Sequence, residues 1–195
     1  MNASDGIRII AGEMRGRIIK TPKGELAVRP MLSRIKKSLF DILTPYLTDA
    51  RMLDLFAGVG GVGIEALSRG ASRCVFVELE SRFKKLIEDN LHLLGYDKKA
   101  MVHQSDVMYA LQWIKEPFDI IFMGPPYKDL QKNALMLTTP ALAGVAAAGI
   151  LAEGGLIVSQ RATREPVTVP AQFVLVRTKV YDDTTIDFYR KSVVL

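Results

Sequence analysis

The chain has 195 residues, 49% of them hydrophobic and 24% charged, with one cysteine, Cys74. That length fits one domain with its own core, and the lone cysteine excludes a disulfide framework and any multi-cysteine metal site. His92 and His103 lie far apart with no ligand spacing, so no metal is expected. The longest weakly polar stretch, Ala141 to Leu151, falls short of the about 20 residues a membrane span needs. The opening residues MNASDGIRII lack the charged start and apolar run of a signal peptide. A cytoplasmic protein is expected, outside any membrane and, with no strong interface stripe, a monomer.

The net charge of +5 is unevenly spread. Residues 1–40 carry nine basic and three acidic side chains, and the remaining 155 carry 17 basic and 18 acidic ones. A basic segment on a neutral body is what a polyanion-binding arm looks like, although a plain solvated surface would also carry such charge. Two parts are therefore expected, a basic arm with a helix over residues 1–45 and an α/β body over 46–195.

In chain order, Ile7 to Lys20 reads as short extended pieces broken by Gly12 and Gly16, a β-hairpin-like arm. Ser33 is placed to cap a helix through Ile35, Leu39, Ile42 and Leu43, ending near Pro45. Strands are expected at Met52–Ala57, Cys74–Val77, Met101–His103, Phe118–Met123 and Leu156–Ser159. Helices are expected at Val62–Ser68, Ser81–Leu94, Val107–Ile114 and, interrupted by Pro140 and Gly144, Leu130–Leu151. This alternation indicates a doubly wound, mostly parallel sheet covered on both faces. Two last runs, Phe173–Tyr181 and Ile186–Val194, flank the turn residues Asp182 to Thr185 and read as an antiparallel hairpin.

The strand from Met52 to Phe56 runs into Ala-Gly58-Val-Gly60-Gly-Val-Gly63 and then a helix. Such glycines let backbone N–H groups approach a ligand closely. The spacing matches a dinucleotide fingerprint, with Glu78 at the next strand end placed for ribose hydroxyls. Asp54 separates the candidates: a carboxylate just before the glycines would repel a pyrophosphate but would suit an ammonium, as at the methionine end of S-adenosylmethionine. A structural hydrogen bond from Asp54 to the loop could coexist with that role. Asp106, after the third strand, is placed to accept from an adenine amino group or to cap a helix. Phe56, Gly58, Gly60 and Gly63 complete the candidate cofactor set.

After the fourth strand come Gly124, Pro125, Pro126 and Tyr127. The prolines fix the backbone at a strand's carboxyl end, and Tyr127 offers a face on which a base could stack. Asp54 to Gly63 followed by Pro-Pro-Tyr resembles class I S-adenosylmethionine-dependent N-methyltransferases. Arg8-Ile-Ile-Ala-Gly-Glu-Met-Arg-Gly-Arg, Thr21-Pro-Lys-Gly, Arg29-Pro, Leu39-Phe-Asp-Ile-Leu and Tyr181-Asp-Asp-Thr narrow this to the bacterial 16S rRNA (guanine-N2)-methyltransferases. The resemblance spans nearly the whole chain.

It implies a Rossmann-like, seven-stranded class I fold and methylation of guanine 966 in 16S rRNA of the small subunit or an assembly intermediate. It also implies S-adenosyl-L-methionine as cofactor and residues 124–127 as the catalytic motif. Gly124 departs from the pattern, because the family carries Asp there. Arg8, Arg15, Arg17, Lys20, Lys23, Arg29 and Arg34 are candidates for gripping RNA. Two other readings stay open: a cofactor-binding RNA-binding protein with weak or lost catalysis, and a nucleotide-dependent oxidoreductase. Of the remaining polar residues, Asp119 is expected to be structural and Cys74 a core residue, while the Lys84, Lys85, Glu88, Asp89 run should form a solvated helix face.

Overall fold

The computed structural model describes residues 6–22, 31–109, 111–129 and 131–193. A small sheet pairs β1 (Gly6–Arg8) antiparallel with β2 (Ile18–Lys20). Helix α1 (Ser33–Leu47) follows, and the body continues with β3 (Arg51–Leu55), α2 (Gly63–Ser68), β4 (Arg73–Glu78), α3 (Ser81–Leu94) and β5 (Ala100–Gln104). Then come β6 (Phe118–Met123), α4 (Thr138–Ala148), β7 (Leu151–Ala162), β8 (Phe173–Tyr181) and β9 (Thr184–Lys191). The main sheet has seven strands in the order β5-β4-β3-β6-β7-β9-β8, parallel from β5 to β7 and antiparallel through β9 and β8. The expected seven-stranded sheet with its antiparallel hairpin is the one found. Among the described residues no helix is long and apolar enough to cross a membrane.

The two faces follow from the period of two along each strand. Met52, Cys74, Phe76, Ile120, Phe122 and Val158 face one way, packing with Leu39 and Phe40 of α1 and Ile64 and Leu67 of α2. Leu53, Val75, Ile121, Met123 and Ile157 face the other, against Ala141, Leu142 and Val145 of α4. Asp54 has the parity of the first face and is buried there, 1% exposed. At the opposite strand ends the Asp119 carboxylate accepts from the Arg51 backbone N–H at 2.8 Å and guanidinium at 3.0–3.1 Å, clamping β6 to β3 in a structural role.

Several boundaries differ from the sequence-based expectation. α1 continues past Pro45 to Leu47, with Leu32 rather than Ser33 at its N-cap and no side-chain cap bond. Pro45 costs one hydrogen bond in the final turns, where buried Leu43 and Leu47 hold the helix against the core. The helix expected at Val107–Ile114 is a single 3₁₀ turn, Val107–Tyr109. Val107, Leu111 and Ile114 are all buried at the expected spacing, but they anchor a turn rather than a helix. α4 spans only Thr138–Ala148. Before it, Asn133 donates from backbone and side chain to Asp129 at 2.8 and 2.9 Å and holds a turn. Pro140 falls in the first helical turn, where its missing N–H has no partner to lose. β7 begins at Leu151, five residues before the expected Leu156, and its register with β6 shifts between Phe118 and Ile120. The hairpin turn is only Asp182 and Asp183, because Thr184 and Thr185 already belong to β9, which ends at Lys191.

The amino-terminal segment is fastened to the body. Glu65 of α2, fully buried, accepts the N–H groups of Ile10 and Ala11 at 2.8 and 3.0 Å. It also pairs with Lys36 of α1 at 3.0 Å and Arg69 at 2.8 Å. Lys36, itself buried, donates to the Arg8 carbonyl at 3.0 Å. Asn90 of α3 bonds both the N–H and the carbonyl of Lys20, at 2.8 and 3.0 Å. Gly12, at φ +86°, lies so close to α2 that a Cβ would stand 1.7 Å from the Ser68 carbonyl oxygen. Burial pushes the Glu65 carboxyl up, but the Ile10 N–H, the Lys36 charge and Arg69 outweigh it and leave it below its ordinary value of 4.5. Its stabilising contribution is therefore complete above that value and is lost as pH falls through the lower folded one. Glu65→Gln, which leaves Lys36 buried without its counter-charge, should cost about 3–5 kcal/mol of unfolding free energy. Urea denaturation at neutral pH and near pH 3 checks this, and the gap between the two proteins should shrink at the lower pH.

Candidate active site

Strand order reverses between β3 and β6, since the chain winds outward from β3 through β4 to β5 and then returns to β6 and β7 on the other side. Open α/β sheets form a ligand crevice at the carboxyl ends of such a pair. Leu55 is in register with Met123, and the Gly124 N–H points to the Leu55 carbonyl at 3.4 Å. The glycine loop after β3 and the Gly124–Tyr127 motif after β6 are therefore neighbours, although they lie far apart in sequence.

Two carboxylates shape the glycine loop. Glu78, 7% exposed at the end of β4, accepts the Gly58 N–H at 2.7 Å with Oε2 and the Glu80 N–H at 2.9 Å with Oε1. Asp54 Oδ2 accepts the Gly63 N–H at 2.9 Å. The chain turns into this loop through Phe56 at φ +61°, a left-handed conformation costly for an aromatic residue. Gly58 and Gly60 also have positive φ, +58° and +80°. Gly63 does something different: a Cβ there would stand 2.3 Å from the Phe76 ring and 2.7 Å from Cys74 Sγ. Its missing side chain lets α2 sit on β4, and only its N–H faces Asp54.

Burial pushes Asp54 up to about 8, against the Gly63 hydrogen bond and helped by the Glu78 charge. Burial likewise raises Glu78, against the N–H groups of Glu80 and Gly58. A nucleoside carrying an ammonium and ribose hydroxyls fits these groups. The ammonium would compensate a buried carboxylate at Asp54, and Glu78 keeps lone pairs free for hydroxyl donors. Asp106 lies one strand further on, where the neighbouring Ser105 N–H donates to the Glu78 carbonyl at 3.1 Å. Asp106 Oδ1 accepts the Met108 N–H at 2.9 Å and so caps the 3₁₀ turn, the structural role weighed for it from sequence.

Beside this loop Pro125 is buried, Pro126 exposed, and Gly124 and Tyr127 half-buried. The Tyr127 hydroxyl accepts from Gln160 Nε2 at 3.0 Å and donates to Thr184 Oγ1 at 3.5 Å. Burial raises Tyr127, so its hydroxyl stays neutral. Gln160 did not stand out in the sequence, and Thr184, though part of the Tyr181-Asp-Asp-Thr motif, gave no sign of reaching Tyr127, because both come from the far side of β6.

Arg8, Arg15 and Arg34 line a groove of about 470 Å³ with Ile9, Ile10 and Ser33. Lys37 joins them, a residue that the sequence pattern did not single out. Arg34 pairs with Asp182 and Ser38 bonds Tyr181, which ties α1 to the tip of the β8–β9 hairpin. Arg17 and Lys20 are exposed but do not line the groove. Lys23 and Arg29 lie outside the described residues. Lys36, counted in the basic excess, is internally paired with Glu65.

A family model described as conserved hypothetical protein 95 matches residues 7–190. The chain belongs to that family. YlbH of Bacillus subtilis is 35% identical over 190 residues, 95% of this chain and 99% of that one. The ribosomal RNA small subunit methyltransferase D of Escherichia coli is 32% identical over 192 residues, covering 98% and 93%. The solved Escherichia coli protein yhhF superposes with a TM-score of 0.81 at 33% identity, over 95% of this chain and 97% of that one.

Because the raised Asp54 keeps its proton in the folded chain after the unfolded chain has lost it, stability falls between about pH 4 and pH 8. Asp54→Asn removes that slope. Thermal melting across this range should show the variant gaining on the parent as pH rises, and parallel curves would contradict the buried, protonated carboxyl.

Proposed function

We propose that this chain, a member of a family whose named relatives include rRNA methyltransferases, transfers the methyl group of S-adenosylmethionine to a guanine N2 amine in small-subunit rRNA. Guanine 966 of 16S rRNA is the position the sequence resemblance implies. The observation that carries this is the juxtaposition at the β3–β6 boundary. A glycine loop held between buried Asp54 and Glu78 lies directly beside a Pro-Pro-Tyr turn. S-adenosylmethionine supplies an electrophilic methyl on a sulfonium. Asp54 would take its ammonium, Glu78 its ribose, and the remaining lone pairs of Asp106 its adenine amine.

The guanine amine is a weak nucleophile because its lone pair is shared with the ring. The buried Pro125 carbonyl would accept one of its N–H groups, and the Tyr127 ring would hold the base face on. Such placement, rather than acid–base chemistry, supplies the acceleration. A base reaches this pocket only after leaving its stack, and the basic groove of Arg8, Arg15, Arg34 and Lys37 would hold the flanking phosphates. An oxidoreductase is disfavoured because Asp54 lies buried directly before the loop that would have to carry a pyrophosphate. The reading of a binding protein without turnover draws on one observation, the glycine at position 124, and the same assay decides it.

Small subunits lacking the modification, incubated with methyl-labelled S-adenosylmethionine, should gain label on guanine N2 of 16S rRNA. Binding without label would leave a cofactor-binding RNA-binding protein, and label on another atom would overturn the substrate assignment. Removing the Arg15 and Lys37 charges by alanine substitution should weaken RNA binding. It should also flatten the dependence of log affinity on log salt by roughly 0.7–0.9 for each phosphate that is no longer neutralised.

A further inference from the structure

Gly124 stands where the family motif carries a carboxylate, and the sheet brings another acceptor to the same place. Met123 of β6 is in register with Ser159 of β7, so the next residues along the parallel pair, Gly124 and Gln160, are side by side. A Cβ on Gly124 would lie 3.8 Å from Gln160 Oε1, with only the Phe122 ring closer, at 3.1 Å. A carboxylate oxygen sits about 2.4 Å from its own Cβ, so the amide oxygen is near the space such a group would fill. Gln160 is half-buried at the site, well along β7 and opposite Ile186 of β9.

The amide's orientation is fixed by a run of donors with one direction. Gln160 Nε2 donates to the Tyr127 hydroxyl at 3.0 Å, Tyr127 to Thr184 Oγ1 at 3.5 Å, and Thr184 to Asp183 Oδ1 at 3.3 Å. The Asp183 carboxylate only accepts, so Thr184 must donate to it and take the hydrogen of Tyr127. Tyr127, having one hydrogen, can then only accept from Gln160. The NH₂ end of the amide is therefore committed to Tyr127, and its oxygen is left facing Gly124.

We propose, resting on the methyl-transfer reading above, that Gln160 Oε1 is the side-chain acceptor of the reaction. It works with the Pro125 carbonyl in place of the carboxylate that position 124 lacks. Each oxygen takes one N–H of the guanine amine and turns its lone pair out of conjugation toward the methyl carbon. The N–C bond forms as the C–S bond breaks with its electron pair on sulfur. The surplus proton leaves to water, since an amide oxygen is too weak a base to hold it. Tyr127 thereby serves both as the stacking surface and as the anchor of the acceptor.

The test is labelled methyl transfer to unmodified small subunits, with kcat and KM for both substrates. Gln160→Met keeps length and removes both polar atoms. It should lower kcat by roughly 100- to 1,000-fold, the usual cost of one placed hydrogen-bonding group, with both KM values and the melting temperature unchanged. Gly124→Asp added to Gln160→Met should restore most of the lost kcat, which a purely structural glutamine would not allow. An unchanged kcat in Gln160→Met overturns the proposal. So does a parent chain that is silent while Gly124→Asp alone is active. If neither the parent nor Gly124→Asp labels guanine, the methyl-transfer reading falls first and takes this one with it.

Discussion

One buried carboxylate, Glu65, holds together three parts of the structure. It lies on α2, the helix into which the glycine loop runs, and it binds the backbone of Ile10 and Ala11 and the ammonium of Lys36. The basic amino-terminal segment, α1 and the cofactor side of the sheet are thereby locked in one arrangement. A fully buried carboxylate is costly unless each oxygen is satisfied, and here two cations and two N–H groups converge on it. Gly12 belongs to the same constraint, because any side chain there would push the segment off α2. The groove residues Arg8 and Arg15 flank this fastening on the chain. Their placement is thus a consequence of tertiary structure rather than of a free arm.

Two further carboxylates hold the glycine loop. Asp54 and Glu78 both sit where burial opposes their charge, and both are partly compensated by loop N–H groups. An apolar residue at either position would leave loop N–H groups without an acceptor, so both acids are kept despite the cost of burying charge. Under the proposed function that cost has a reason, because a cationic, hydroxyl-bearing ligand would relieve the desolvation that folding alone leaves. Phe56, held at positive φ where β3 meets the loop, is a further local strain at the same point.

Much of the frame was legible because it depends on local pattern. α3, β6 and β8 have the bounds that apolar spacing indicates, and the glycine loop lies between strand and helix as its composition requires. What could not be read depends on register. The spacing of Val107, Leu111 and Ile114 marks buried positions but cannot distinguish a helix from a 3₁₀ turn anchored at the same points. Glu65 lies in a short helix, yet the Ile10 and Ala11 N–H groups it accepts come from more than fifty positions earlier in the chain, and its buried counter-ion Lys36 comes from another helix. An acid embedded in Val-Gly-Ile-Glu-Ala-Leu, apolar all round, was the available signal. Gln160 offered none, because its proximity to Gly124 follows from the β6–β7 pairing, whose register shifts between Phe118 and Ile120.

The hairpin of β8 and β9 links these regions. Its turn is Asp182 and Asp183, two adjacent carboxylates with different partners. Asp182, at positive φ, turns to Arg34 at the start of α1 and the edge of the basic groove. Asp183 accepts from Thr184 and so stands at the end of the donor run through Tyr127 to Gln160. One short turn therefore touches both the surface proposed to grip phosphates and the groups proposed to hold the base. Positive φ at Asp182 closes this two-residue hairpin turn. A hairpin whose edge strand is otherwise mostly exposed is thus fixed at its tip from two sides. The distance between the basic groove and Tyr127 is set by hydrogen bonds rather than by a flexible connection.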